Sequence, residues 1–262
     1  MTPSPAAGHL CWAYDDLADF RACAVEFLGA GAAAGELTWY VGATATSEVA
    51  AVLGGTGRFV DVTEAYATGS VVDPAAQVAA YTAATEAALA AGYSGLRVAA
   101  EVSGLVGSPA QLDAFARYEF AIGRYMLTAP MRAVCGYDRG ALGDTAIAEA
   151  ACLHPRSSAG ATPFHLHPAD PESDDVFLDG ELDAATEDLF TAALHRTGPV
   201  RTGRPIVVHA DGLRFADHRS LLILERFAER HGTTAVLRTP HTGTQRLADL
   251  LGLRHVRIEA GA

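Results

Sequence analysis

The stretch GHLCWAYDD, residues 8–16, places a histidine and a cysteine two positions apart in what reads as a strand. Strand side chains alternate between faces, so His9, Cys11 and Ala13 share one side and Leu10, Trp12 and Tyr14 the other. Imidazole beside thiol allows three roles. With Cys135 from a later strand, His9 and Cys11 would offer nitrogen and sulfur to a transition metal or haem. They would instead line a small-ligand pocket, or pack as core, since a buried free cysteine behaves as a small hydrophobe. The spacing H-x-C is not an established ligand signature, and none of Cys11, Cys23, Cys135 and Cys152 forms a C-x-x-C pair. The expectation carried forward is a pocket for a small organic ligand that His9 and Cys11 line or support, with metal or haem as the alternative.

In an open α/β sheet, ligands gather beyond the carboxyl ends of the strands. The candidate lining is His9, Cys11, Trp39, Arg97, Glu101, Tyr118, Glu119 and Cys135, with Tyr137 on the same strand face as Cys135. Arg97 and Glu101 share a face of GLRVAAE by the same alternation. Tyr118 and Glu119 fall on one helix, where capping or ion pairing is the ordinary explanation. His165 and His167 share a face of an expected edge strand, which solvation explains. No G-x-S-x-G context surrounds a serine, and SGLVGSP, residues 103–109, is not a nucleophile elbow.

The composition narrows the classes of function. Half of the 262 residues are hydrophobic and 19% are charged, as in a soluble, well-cored protein. A net charge of −12 disfavours nucleic acid as a direct partner, because phosphate contacts need a basic surface. All 19 basic residues are arginine, so no lysine is present for a Schiff base or a P-loop. No apolar run is long enough to span a bilayer. MTPSPAAGHL has neither the basic nor the apolar region of a secretion signal, so a cytoplasmic protein with reduced thiols is expected.

The elements that must position these residues alternate. Strands are expected at HLCWAY, LTWYVG, FVDVTEAY, GLRVAAEV and MRAVCGYD. Helices are expected between and after them, at residues 19–36, 46–55, 74–92, 108–127 and 143–154. Asp and Ser residues stand at their starts, with Pro74 and Pro109 in first turns. Such β-α repetition predicts a largely parallel sheet with helices on both faces. A cluster of Pro, Ser and Gly at residues 155–163 reads as a linker. Beyond it, FHLHPA and VFLDGEL read as paired strands, followed by a helix over residues 183–198 and the apolar strand PIVVHADGL. A helix at residues 217–232, the strand TTAVLRTP, a helix at 242–253 and the strand HVRIE complete the pattern. The expected division is therefore 1–154, linker 155–163, and 164–262.

GHLCWAYDD, FLGAGAAAGELTWYV, AAGYSGLRVAAE, ARYEFAIGRYM and MRAVCGYDRGAL with its following LHP resemble the MEDS family. That family is a sensory domain named for methanogens, methylotrophs and a dichloromethane-responsive regulator. The resemblance spans residues 8–155 and implies a RecA/KaiC-like core without a nucleotide site, sensing small hydrocarbon derivatives. The residues independently oppose nucleotide binding. The first strand leads into YDDLAD, where Asp15, Asp16 and Asp19 would repel a triphosphate. LGGTGRF is Gly-rich but stands between a helix and a strand, the wrong context for a phosphate loop.

LDGELDAAT, IVVHADGLRFADHRSLLILERFAERHG and TPHTGTQRLADLLGL before HVRIE resemble the STAS domain of anti-sigma-factor antagonists. That resemblance covers residues 164–259. It implies docking to an anti-sigma factor or a related regulatory kinase through the helix starting near Asp217. Members of that family usually carry a phosphoacceptor hydroxyl there. Here the stretch is Asp217, His218, Arg219 and Ser220, with Arg219 at the acceptor position. The two resemblances together imply a non-enzymatic cytoplasmic signalling protein with a sensing half and a docking half. The alternatives are a metal- or haem-binding enzyme or accessory protein, and a scaffold module. Self-association is a further open partner class.

Overall fold

The computed structural model describes residues 8–66, 71–197 and 203–261. Residues 1–7, part of the stretch read for a secretion signal, and Gly198, at the end of an expected helix, lie outside the described residues. The chain divides into two compact units, Met1–Ala161 and Thr162–Ala262. Both are α/β, built on mostly parallel sheets. Among the described residues no helix is long and apolar enough to cross a membrane.

The first unit runs β1 (His9–Tyr14), α1 (Leu17–Ala33), β2 (Leu37–Gly42), α2 (Ser47–Leu53), β3 (Arg58–Asp61), α3 (Val62–Ala65), α4 (Pro74–Ala90), β4 (Leu96–Glu101), α5 (Pro109–Met126), β5 (Met131–Asp138), α6 (Arg139–Ala151) and β6 (Arg156–Ser157). The strands form one parallel sheet in the order β3-β2-β4-β5-β1-β6. Its central strands are apolar on both faces, as burial under two helix layers requires. Cys11, Val41, Val98, Ala100, Cys135 and Tyr137 pack with Phe115, Tyr118 and Ile122 of α5 and Ile147 of α6. Leu10, Tyr40, Ala99 and Val134 pack on the opposite side with Phe20, Phe27 and Leu28 of α1.

Local chemistry sets the element ends. The Asp16 side chain accepts the Ala18 N–H at 2.9 Å, so an aspartate closes the helix start at which a P-loop protein would hold phosphate. Asp73 and Ser108 cap α4 and α5 ahead of Pro74 and Pro109. Three expectations change. FVDVTEAY is a strand only to Asp61, whose side chain accepts the Thr63 N–H and turns the chain into α3. A short helical turn over residues 139–142, capped by Asp138, precedes the helix expected from residue 143, and Gly143 separates the two with φ 74°. Within residues 155–163, Arg156 and Ser157 pair with Leu10 and Cys11 and add β6 to the sheet. Ser158 follows, and its hydroxyl accepts the Ala13 N–H at 2.9 Å.

The second unit runs β7 (Phe164–Pro168), β8 (Val176–Leu182), α7 (Glu187–Arg196), β9 (Ile206–His209), β10 (Leu213–Ala216), α8 (His218–Arg230), β11 (Ala235–Thr239), α9 (Thr242–Leu251) and β12 (Val256–Ala260). Its sheet order is β10-β8-β9-β11-β12, and β7 pairs antiparallel with β8. PIVVHADGL, expected as one strand, ends at His209. The Leu213 N–H returns to the Ala210 carbonyl, and β10 then pairs with β8.

Candidate functional site

Three elements and one helix end converge on the α5 face of the first sheet. On β1, His9 and Cys11 face this side. On β5, Cys135 and Tyr137 face it too, in register opposite Cys11 and Ala13. Helix α5 lies across them with Phe115, Tyr118, Glu119 and Ile122 inward, the spacing of one helix face. His154 follows the end of α6. Its N–H bonds the Ala151 carbonyl at 3.1 Å, and its Nδ1 bonds the Ala150 carbonyl at 3.0 Å.

Glu119 is the hub. Its Oε2 lies 3.0 Å from His9 Nε2 and 3.5 Å from His154 Nε2. Its Oε1 accepts the Tyr137 hydroxyl at 2.7 Å. The His9 and His154 rings are 4.2 Å apart between centroids. Ligand-type atoms of His9, Glu119, Cys135 and His154 all lie within 4.8 Å of one another. These four residues are 3%, 0%, 5% and 0% exposed, so bulk water does not solvate the group.

Burial alone would raise the Glu119 carboxyl, but His154 and His9 outweigh it and hold the acid well below the usual carboxylate range. Burial pushes the Cys11 and Cys135 thiols up, and the Glu119 charge adds to both. The Tyr137 phenol is raised by burial and by the same carboxylate. The site is thus an anion enclosed by imidazoles, a phenol and a thiol. Uncompensated, it would be strongly unfavourable.

The expected pocket separates into parts. His9, Cys11, Tyr118, Glu119, Cys135 and Tyr137 do lie on one face. Arg97 and Glu101 lie on the other, because β4 turns its even-numbered residues toward α5 and its odd-numbered ones toward α1. Arg97 pairs with Glu36 and donates to the Phe27 carbonyl at 3.1 Å. Glu101 accepts the Tyr40 hydroxyl and lies 3.6 Å from Arg21 Nε. Both are therefore corrected out of a shared site. The metal candidates change as well: His9 and Cys135 belong to the four-residue group, whereas Cys11 stands outside it and packs in the core. His154, in the LHP that follows α6, is the member that sequence reasoning does not single out.

Trp39 faces a different opening on the same side of the sheet. A recess of about 170 Å³ is lined by Trp39, Val60, Ala65 and Tyr81, with the polar Arg58, Glu64 and Gln77 also contributing. The Trp39 indole N–H is buried without a hydrogen-bond partner. Tyr81 donates to the Tyr66 hydroxyl at 3.0 Å, and the Tyr66 ring meets Tyr118 edge-on at 6.1 Å. The tyrosines thus run from the recess to the residue beside Glu119.

In the second unit, Asp217 caps α8 and accepts both the Ser220 N–H and the Ser220 hydroxyl at 2.9 Å. Ser220 is buried, and Arg219 is exposed and donates to Glu187 at 2.6 Å. His218, at the first position of the helix, is exposed.

A profile of the MEDS family, described as the methanogen/methylotroph, DcmR sensory domain, matches residues 8–155. The chain belongs to the MEDS family. The matched MEDS span contains His9, Glu119, Cys135 and His154 and ends just before β6. Searches of curated proteins and of solved structures found no match.

Proposed function

We propose that this MEDS protein is a non-enzymatic sensor whose first unit binds a small organic ligand, of the size of a short hydrocarbon derivative, in the recess at Trp39 and Tyr81. The observation that carries this reading is the recess itself. It is about 170 Å³, lined by Trp39, Tyr81, Val60 and two alanines together with Arg58, Glu64 and Gln77, and Trp39 brings a buried indole N–H that has no partner. An aromatic wall with a few polar groups at its side suits a small molecule carrying an acceptor atom. Membership of a sensory family supports the same role.

The second unit is the output in this reading, a STAS-like docking module for an anti-sigma factor or related kinase. Its support is the sequence resemblance over residues 164–259 and the Asp217-capped helix α8. Ser220 is buried and bonded to Asp217, which opposes its use as a phosphoacceptor. Docking would then be switched by ligand rather than by phosphate. Coupling requires that the ligand bind two states with different affinity.

The test is a thermal-shift and calorimetric screen of the full chain against short chlorinated alkanes, alcohols and amines. Saturable binding by one class, lost in Trp39→Ala with α/β circular dichroism intact, is expected. Binding that survives Trp39→Ala, or none across the panel, would overturn the assignment of the recess.

A further inference from the structure

We propose that His9, Glu119, Cys135 and His154 form a closed site for one divalent transition-metal ion of the zinc type. The site is separate from the Trp39 recess and does not depend on it.

The argument begins at His154. A backbone carbonyl only accepts, so the contact with the Ala150 carbonyl at 3.0 Å fixes the hydrogen on Nδ1. Nε2 of the neutral ring then points a lone pair at the Glu119 carboxylate, 3.5 Å away. Two acceptors facing each other at that distance need a cation between them, either a proton or a metal ion. An Nδ1–H held by a backbone carbonyl is also the usual outer support of a metal-bound histidine. Tyr137 serves Glu119 in the same way. It donates to Oε1 at 2.7 Å and leaves Oε2 toward both imidazoles.

The remaining donor separates the two cations. A proton shared among imidazoles and a carboxylate has no need of sulfur, yet the Cys135 thiol lies within the same 4.8 Å group. Two nitrogens, one oxygen and one sulfur form a borderline-soft set that suits zinc and neighbouring ions and not magnesium or calcium. Around a tetrahedral zinc, donor atoms stand about 3.3–3.7 Å apart. The contacts from Glu119 to His9 and His154, at 3.0 and 3.5 Å, bracket the lower part of that range. Small side-chain rotations contract the wider pairs. On binding, the ion takes the place of the Cys135 thiol proton and of the proton between His154 and Glu119, both of which leave to solvent, while His9 moves its ring hydrogen to the nitrogen that does not ligate. Four protein donors leave no open position, so the ion would tie β1, α5, β5 and the end of α6 together rather than activate a substrate.

The test uses the full chain stripped with chelator and then given zinc or cobalt(II) alone. Expected results are one ion per chain in native mass spectra, a raised melting temperature, and a thiolate-to-cobalt charge-transfer band with the visible bands of a tetrahedral site. Cys135→Ser should remove the charge-transfer band and weaken zinc binding by about 10-fold or more. If that variant does not fold, X-ray absorption on zinc-loaded wild type decides, with one sulfur and two imidazoles expected. No bound ion at tenfold excess of zinc in a folded chain would overturn the proposal, as would a charge-transfer band that persists in Cys135→Ser or a sulfur count other than one. A chain that binds zinc but none of the organic probes would retain this site and lose the reading of the recess.

Discussion

His9 Nε2 meets Glu119 Oε2 at 3.0 Å across 110 positions of sequence, and both side chains are buried. The contact joins the first strand to the helix that covers it and, with Tyr137 and His154, compensates a buried carboxylate. Replacing Glu119 with leucine removes the acceptor of the Tyr137 hydroxyl and the charge beside both imidazoles. The expected cost is about 3–5 kcal/mol, the range for breaking a buried pair by removing one partner. Urea unfolding of the metal-free chain measures it. A loss below about 1 kcal/mol would show that the group relaxes around the change.

A second prediction concerns close packing on the other face of the sheet. A Cβ added at Gly136 would fall 2.6 Å from the Phe20 ring, which is fully buried. Gly136→Ala should therefore destabilise by about 1–3 kcal/mol through overpacking. Gly136→Ala combined with Phe20→Leu should recover part of that loss, and a double variant no better than the single one would argue against the clash.

How much of this was legible in the sequence differs between the strands and the site. HLCWAY, LTWYVG and MRAVCGYD declared themselves by length and by apolar residues on both faces. Alternation then placed His9 with Cys11 and Cys135 with Tyr137 correctly. The same alternation paired Arg97 with Glu101, but parity within one strand does not say which face of the sheet it belongs to. That is fixed by strand order, which joins β4 to β2 and β5, and by Glu36 and Tyr40, which take the two charges on the α1 side. His154 was missed because a histidine at a helix end ordinarily answers the helix dipole. Only the return of the chain beside β1 brings it to Glu119. Asp61 ended a strand early by local capping, a signal present in DVT and outweighed by the apolar run before it.

Alkaline pH should weaken the fold, and the sign follows from the raised groups. Burial, with Glu26 adding to it, pushes the Cys23 thiol from 9.0 up to about 12. Burial raises Cys11, Cys135, Tyr66 and Tyr118 as well. The unfolded chain loses these protons first. The stabilisation is therefore complete below about pH 9 and falls as pH rises toward the folded values. Glu119 acts in the acid range and does not enter this window. Urea midpoints under reducing conditions should be lower at about pH 10 than at about pH 7.5. Equal midpoints would mean that the thiols and phenols ionise freely in the folded chain.

Helix α8 supplies a local prediction. Asp217 holds both the backbone and the hydroxyl of Ser220. Asp217→Ala should cost about 0.5–2 kcal/mol, the usual range for a lost N-cap. Asp217→Ser should restore most of it. Hydrogen exchange at the Ser220 amide reports the change directly, and unaltered protection there would show that the cap does not hold the first turn.

The strand order also dictates when the first unit can finish folding. β3, β2 and β4 stand next to one another and come from residues 37–101, so they can assemble as the chain leaves the ribosome. β1, although earliest in the sequence, stands between β5 and β6. Its partners do not exist until residues 131–138 and 156–157 have been synthesised. The first strand must therefore wait, exposed and apolar, while more than half of the chain is made. Long sequence separation of this kind slows folding and leaves an unpaired edge open to aggregation. Within the first unit, the buried site at its start closes late, as a consequence of connectivity rather than of chemistry.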